Sequence, residues 1–129
     1  MEHVLGLTIA NDLSERVLQG QDGTFNGNFT REKCFDTFCP LGPFIQTNFE
    51  QNPELGIKCF VNNELKQDGN TRDMIFSIGD ILCFVSSIMT LLPGDVILTG
   101  TPEGVSKVGP GDEIKIEIET IGTLVNSIK

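Results

Sequence analysis

The sequence predicts an α+β domain in which strands predominate, with one main helix at about 77–89. Three observations carry this prediction. Residues 112–119 (DEIKIEIE) alternate polar and apolar, so Ile114, Ile116 and Ile118 share one face, as in a half-buried strand. Residues 57–61 and 65–67 flank Asn62-Asn63-Glu64, and asparagine tolerates the positive φ of a tight hairpin turn. Ile78, Ile81, Leu82, Val85, Ile88 and Met89 recur at helical spacing behind Ser77-x-x-Asp80, which resembles a capping box. That stripe is expected to join the core.

The elements follow in chain order. Residues 4–10 (VLGLTIA) read as a buried strand that needs partners elsewhere, and Asn11-Asp12 ends it. Residues 13–19 (LSERVLQ) have helical spacing, with Leu13, Val17 and Leu18 on one side. Asn11 or Asp12 can cap that helix, because a short side-chain oxygen accepts the free N–H groups of a first turn. Gly20 stops it. Residues 21–30, rich in Gly, Asn and Asp, read as a loop. Residues 33–43 (KCFDTFCPLGP) hold two aromatics, two cysteines, two prolines and a glycine, so an irregular, packed loop is expected. Thr71-Arg72-Asp73 leads into the main helix. After it, Pro93-Gly94-Asp95 turns, 96–99 (VILT) is a short apolar strand and 100–104 is a loop. Residues 108–111 turn again, and 121–128 form a last strand. No repeat, low-complexity tract or linker divides the chain, so 1–129 reads as one domain.

Composition narrows the function classes. Nine basic residues against 18 acidic ones give a formal charge of −9. This argues against nucleic acid or an anionic membrane as the partner, since both need clustered Lys and Arg. An anionic small substrate stays open, because it needs only one or two local cations or a metal. No apolar run reaches the roughly 18 residues of a membrane span. The first residues carry no basic region before their apolar stretch, so they are not a secretory signal. Cys34, Cys39, Cys59 and Cys83 form no C-x-x-C pair, and His3 is the single imidazole, which disfavours zinc. Free, mostly buried thiols in a reducing, cytoplasmic setting are expected.

Several residues are candidates for chemistry. A strand ending in Thr99-Gly-Thr-Pro-Glu-Gly104 can point backbone N–H groups and threonine hydroxyls at a carboxylate. No Gly-Lys-Ser/Thr follows, so it is not a phosphate loop. The alternative is an ordinary tight turn. Asp12, just past the carboxyl end of a strand, suits a hard cation such as Mg²⁺, or it is simply the helix cap. Lys33 enters an apolar, proline-bounded loop and could neutralise an anion or an enolate; with Arg31 and Glu32 beside it, it could equally be a solvated lysine. Cys34 and Cys39 have no neighbouring imidazole base, which argues against nucleophilic catalysis.

The order of five segments adds a resemblance. GLTIANDLSERVLQG, KCFDTFCPLGPF, NNELKQDGNTRDMIFSI, PGDVILTGTPEGV and GDEIKIEIETIGTLVN follow one another from about Gly6 to Asn126. They are similar to the fumarylacetoacetate hydrolase family, nearest its domain-containing and 2-hydroxyhepta-2,4-diene-1,7-dioate isomerase branch. Typical forms there read GYTIANDVSARDLQ, KSFDTFCPLGPW, RQDSNTSDMIFS and PGDVILTGTPEGVG.

The resemblance implies a mixed, rolled β-sheet with short helices, commonly dimeric, whose amino-terminal part lies outside this sequence. It implies Mg²⁺, Mn²⁺ or Ca²⁺ held by a Glu-x-Glu pair and a later Asp, here Asp12. It implies substrate contacts from Gln19 and Lys33, the lysine facing an oxyanion. Thr101, flanked by Gly100 and Pro102, would hold the substrate carboxylate. The implied substrates are 2-oxo and β-diketo acids, including dicarboxylic ones, undergoing C–C hydrolysis, decarboxylation or tautomerisation through an enolate. The family's Glu-x-Glu pair and acid/base residue precede the segment that opens this chain, and Glu2 is no such pair. Leu7 replaces the family tyrosine, and Val17 replaces an acid. The chain by itself is therefore expected to bind metal weakly and to be nearly inactive. It is expected to work as a homodimer or beside a chain that supplies Glu-x-Glu. The alternative is a non-catalytic binding or dimerising module.

Overall fold

A computed structural model describes residues 2–21 and 30–129. The elements are strand β1 (Leu7–Ala10), helix α1 (Arg16–Gln21), helix α2 (Thr30–Lys33) and strand β2 (Leu41–Gln46). Strands β3 (Gly56–Val61) and β4 (Glu64–Asn70) follow, then a 3₁₀ turn (Thr71–Asp73) and helix α3 (Ile78–Ile88). Strands β5 (Glu113–Ile118) and β6 (Gly122–Ser127) end the fold. Every strand pairing among the described residues is antiparallel, in a two-stranded sheet β1-β2 and a four-stranded sheet β4-β3-β5-β6.

The four-stranded sheet is two hairpins joined edge to edge. Asn62 and Asn63 sit at φ +51° and +67°, the left-handed pair that the β3–β4 turn demands. The β3–β4 register slips at Lys66, where Cys59 faces Gln67 and Phe60 faces Leu65, so Lys66 is an extra, bulged residue. The alternation of 112–119 holds: Ile114 and Ile116 are buried, together with Cys59 and Ile121. Ile9 of β1 lies on that face and is fully buried, which joins the two sheets in one core. Asp112 ties this framework together by accepting from Asn62 Nδ2 at 2.7 Å and Gly109 N–H at 2.8 Å. Those bonds, the Asn62 one foremost, hold its carboxyl below the usual carboxylate range. A depressed carboxyl stabilises the fold above its unfolded pKa, about 3.9, and loses that effect as pH falls through its folded value. Melting temperature measured between pH 5 and pH 2 should therefore fall less steeply in Asp112→Asn than in the unmodified chain.

Several expectations are corrected. The strand at 4–10 shortens to Leu7–Ala10, with Leu5 74% exposed. The helix expected at 13–19 begins only at Arg16 and continues through Gly20 to Gln21. Its free Val17 N–H goes to Glu15 Oε1 at 3.0 Å, so neither Asn11 nor Asp12 caps it. The irregular stretch expected at 33–43 contains the end of α2 and the start of β2, because β1 needs an antiparallel neighbour and finds it in Leu41 and Gly42. The loop expected at 21–30 falls, for 22–29, outside the described residues. Cys34, Cys39 and Cys83 are exposed, and only Cys59 is buried, where burial pushes its thiol pKa up. Residues 96–99 form no strand. The α3 capping box is complete, with Ser77 Oγ accepting Asp80 N–H and the Asp80 carboxylate accepting Ser77 N–H, yet no α3 residue is buried. Ile78, Ile81, Leu82 and Val85 of its apolar stripe are half-buried, Ile88 and Met89 are exposed, and none joins the core cluster.

Candidate functional site

The site begins where β1 ends. Asn11 N–H donates to Pro40 O at 3.0 Å, and Leu13 N–H reaches Asn11 O at 3.1 Å and Phe38 O at 3.2 Å. These bonds turn the chain sharply and leave the Asp12 carboxylate free of backbone duty. Glu15 N–H donates to Glu32 O at 3.0 Å, which sets α2 against the turn. Lys33, the last residue of α2, then places Nζ 2.6 Å from Asp12 Oδ1. Both side chains are about one-third exposed (30% and 34%). An ion pair this open contributes only about 0–1 kcal/mol to stability, so its importance lies in placing a cation beside a carboxylate.

Gln19 is on α1, where its Oε1 accepts from Arg16 Nη1 at 2.8 Å. Its Nε2 is buried and has no hydrogen-bond partner among the described residues. Glu32, only 2% exposed, also keeps Oε2 unpartnered. Sequence reasoning missed Glu32, because a charged residue between Arg31 and Lys33 reads as solvated. A buried polar atom without a partner is costly, which marks Glu32 as a residue held by the packing of α2.

The second part of the site is the 99–104 loop, docked on the β4 bulge. Gln67 Nε2 donates to Pro102 O at 2.7 Å. A Cβ on Gly69 would lie 2.9 Å from the Pro102 ring, and one on Gly104 would lie 1.9 Å from Lys66 O. Gly100 and Gly104 adopt φ +107° and +98°, the region that favours glycine. Nothing lies within 4 Å of a Gly100 Cβ, so the backbone there borders open space. Gln67 and Gly69 escaped sequence reasoning because Pro102 lies more than 30 residues away along the chain.

Asp12 and Gly100, Thr101 and Pro102 line one hollow of about 1680 Å³; Lys33 and Gln19 lie off its wall. The structure thus joins Asp12 to Lys33 directly and to the loop only across this space. The Glu-x-Glu in the sequence, Glu117-Ile118-Glu119, is engaged within the four-stranded sheet. Glu117 meets Lys115 Nζ at 3.0 Å, and Glu119 accepts Gly56 N–H at 2.9 Å. Asp12 fits a hard divalent ion as one oxygen donor. Among the described residues no group of three or more His, Cys, Asp or Glu side chains is placed to complete such a site, and magnesium requires about six oxygens. The same residues include no helix long and apolar enough to cross a membrane.

Comparison with known proteins bears on this geometry. Residues 1–129 match the family model described as fumarylacetoacetate (FAA) hydrolase C-terminal. The rat mitochondrial oxaloacetate tautomerase Fahd2a is 40% identical, over 99% of this chain and 43% of its own length. The crystal structure of 2-hydroxyhepta-2,4-diene-1,7-dioate isomerase from Mycobacterium marinum superposes with a TM-score of 0.91 at 46% identity, over 98% of this chain and 48% of that one. Maleylpyruvate hydrolase from Sphingobium sp. SYK-6, in complex with manganese(II) and pyruvate, gives 0.71 at 43% identity, over 75% and 38%. The chain spans about half the length of the curated relatives it matches. With its strand-dominated fold, its docked TGTPEG loop and this whole-length match, the chain belongs to the fumarylacetoacetate hydrolase family.

Proposed function

We propose that this chain forms the carboxylate-binding and lysine-bearing part of a divalent-metal-dependent enzyme acting on 2-oxo or β-diketo acids. The observation that carries the reading is the Asp12–Lys33 ion pair just past β1, whose Asp12 member lines the same hollow as the 99–104 loop. In this reading Asp12 is one ligand of Mg²⁺, Mn²⁺ or Ca²⁺. The ion, when bound, supplies Lewis-acid stabilisation of an enolate. Lys33 brings a fixed positive charge to the oxygen on which negative charge develops. Thr101 Oγ1 and the backbone N–H groups beside Gly100 hold the substrate carboxylate. Gln19 turns its free Nε2 to the substrate. The tautomerase, isomerase and hydrolase relatives all act on substrates that can pass through such an enolate, which supports the class of reaction. The exposed free thiols Cys34, Cys39 and Cys83 fit a reducing, cytoplasmic compartment.

The remaining metal ligands and the proton-transfer group lie, in this reading, outside the residues of this sequence, on the same protein or on a partner. Loss of a general base costs about 10²–10⁴-fold in rate, so the chain alone should turn over slowly. Oxaloacetate keto–enol exchange, an acylpyruvate and a hydroxymuconate-type diacid, each with Mg²⁺, test the activity. With the unmatched portion of a relative supplied, turnover should rise. Absence of turnover in every combination sinks the enzymatic reading. Within an active assembly, Lys33→Met should lower kcat about 10²–10³-fold, the effect of removing one oxyanion-stabilising group.

A second reading, a non-catalytic acid-binding or dimerising module, is favoured by the engagement of Glu117 and Glu119 elsewhere. Calorimetric titration with oxalate separates the two. Metal-dependent binding at micromolar strength supports the enzyme. Metal-independent binding abolished by Thr101→Ala supports the module.

A further inference from the structure

Cys34, Cys39 and Cys83 are exposed free thiols. Cys59 is buried in the core, where burial pushes its thiol pKa up and keeps it inert. Two of the exposed thiols bracket a single turn. Cys34 follows Lys33 at the end of α2, and Cys39 precedes Pro40, which leads into β2. The roles proposed above use neither of them.

Between them the chain reverses. Phe38 N–H donates to Phe35 O at 3.1 Å, and Thr37 holds φ +71°. A bond from the fourth residue back to the first, with positive φ at the third, is the pattern of a type II turn. The Phe35 and Phe38 rings at its two ends lie 5.1 Å apart between centroids. Cys34 and Cys39 are the next residues out, one on each leg. Both legs are fastened to the same short stretch, residues 11–15. On the first leg, Glu15 N–H donates to Glu32 O at 3.0 Å, and Lys33 Nζ lies 2.6 Å from Asp12 Oδ1. On the second, Leu13 N–H donates to Phe38 O at 3.2 Å and Asn11 N–H to Pro40 O at 3.0 Å. These anchors keep the legs from splaying. The end residues of such a turn have Cα atoms less than about 7 Å apart, and a disulfide joins Cα atoms about 4.4–6.8 Å apart.

We propose that Cys34 and Cys39 form a paired thiol site that closes reversibly into a disulfide by exchange with a small-molecule disulfide such as oxidised glutathione. One protein thiolate attacks the glutathione disulfide, forms a mixed disulfide and releases one glutathione thiolate. The second protein thiolate then attacks the protein sulfur of that mixed disulfide and releases the other glutathione. The two protein thiols give up two electrons and two protons, and one glutathione disulfide becomes two glutathione thiols. The second step is intramolecular, so it outruns attack by a second glutathione from solution. An exposed bond of this kind belongs with the labile disulfides rather than the structural ones. Lys33 directly precedes Cys34, so the bond fastens the leg that carries the cation of the site. The thiol chemistry itself does not rest on the function proposed for that cation.

The test uses the full chain, first reduced, then equilibrated with oxidised and reduced glutathione, quenched with acid and read by intact and peptide mass spectrometry. Cys83, an exposed thiol on α3, is the internal control. Cys34 and Cys39 should together lose two hydrogens and carry no glutathione, while Cys83 gains one glutathione and Cys59 stays a free thiol. The internal disulfide should exceed glutathione adducts on Cys34 and Cys39 at least about tenfold, and dithiothreitol should reverse it. In Cys34→Ser, Cys39 should take up glutathione instead; in Cys39→Ser, Cys34 should. Both positions are exposed, so each variant should keep the circular dichroism of the parent chain. Glutathione on both Cys34 and Cys39 of the parent chain overturns the proposal, as does resistance of either thiol to the exchange. A disulfide from either one to Cys83, or between two copies of the chain, overturns it too. The readout needs neither metal nor acid, so its failure leaves the enzymatic reading intact, and absence of turnover leaves the thiol pair intact.

Discussion

Gly104→Ala will detach the 99–104 loop from β4 and weaken oxalate binding at least about tenfold. A Cβ there would sit 1.9 Å from the Lys66 carbonyl oxygen, a backbone atom held at the bulge of a paired strand and unable to retreat like a side chain. The residue also holds φ +98°, where an alanine costs on the order of 1–3 kcal/mol in strain alone. Either the turn re-forms or the loop leaves its ledge, and both move Thr101. Gly109→Ala is the matched control, because a Cβ at Gly109 meets nothing within 4 Å. Calorimetry on the two variants should show binding lost in the first and kept in the second. Equal binding in both would mean that the docked loop is not the form that holds the acid.

Ile9→Ala should be the most damaging core substitution. Ile9 is fully buried and is the residue through which β1 reaches the packed face of β3 and β5. Truncating a buried isoleucine to alanine removes about 2–5 kcal/mol, against a whole-domain stability of about 5–15 kcal/mol. Because β1 ends one residue before Asn11, the cavity would also loosen Asp12 relative to Lys33. Urea unfolding should show a lower midpoint with an unchanged slope. An Ile9→Ala midpoint equal to that of the unmodified chain would show that the two sheets do not share a core.

What could be read in the sequence was set by local physics. The β3–β4 hairpin follows from Asn62-Asn63, the β5 strand from its alternation, and the α3 start from Ser77 and Asp80; each signal lies within a few residues of its effect. Asp12, Lys33 and the 99–104 loop stood out by resemblance in order, and the structure joins two of them by an ion pair. The failures are long-range. The β2 strand exists only because β1 passes beside it, and no pattern in KCFDTFCPLGP announces that. Glu32 reads as solvated and is buried, because burial depends on how α2 meets the 13–15 turn. The α3 stripe gives the helix, but 96–99 forms no strand, because an apolar run does not say whether a sheet edge lies beside it.

The Asn62-closed hairpin and the β5–β6 hairpin are each made of neighbours in sequence, and they pair with each other through β3 and β5. Residues 74–107 are an excursion between them, fastened to β4 by the Gln67–Pro102 bond and the close contacts of Gly69 and Gly104. With so few fastenings, the excursion is expected to open while the sheet stays whole. A protease at low dose should thus cut first within 90–108 and leave a nicked protein whose four-stranded sheet survives. The 99–104 loop, the proposed cradle for the substrate carboxylate, lies in the stretch expected to be cut first, so an acid that binds it should slow the cut.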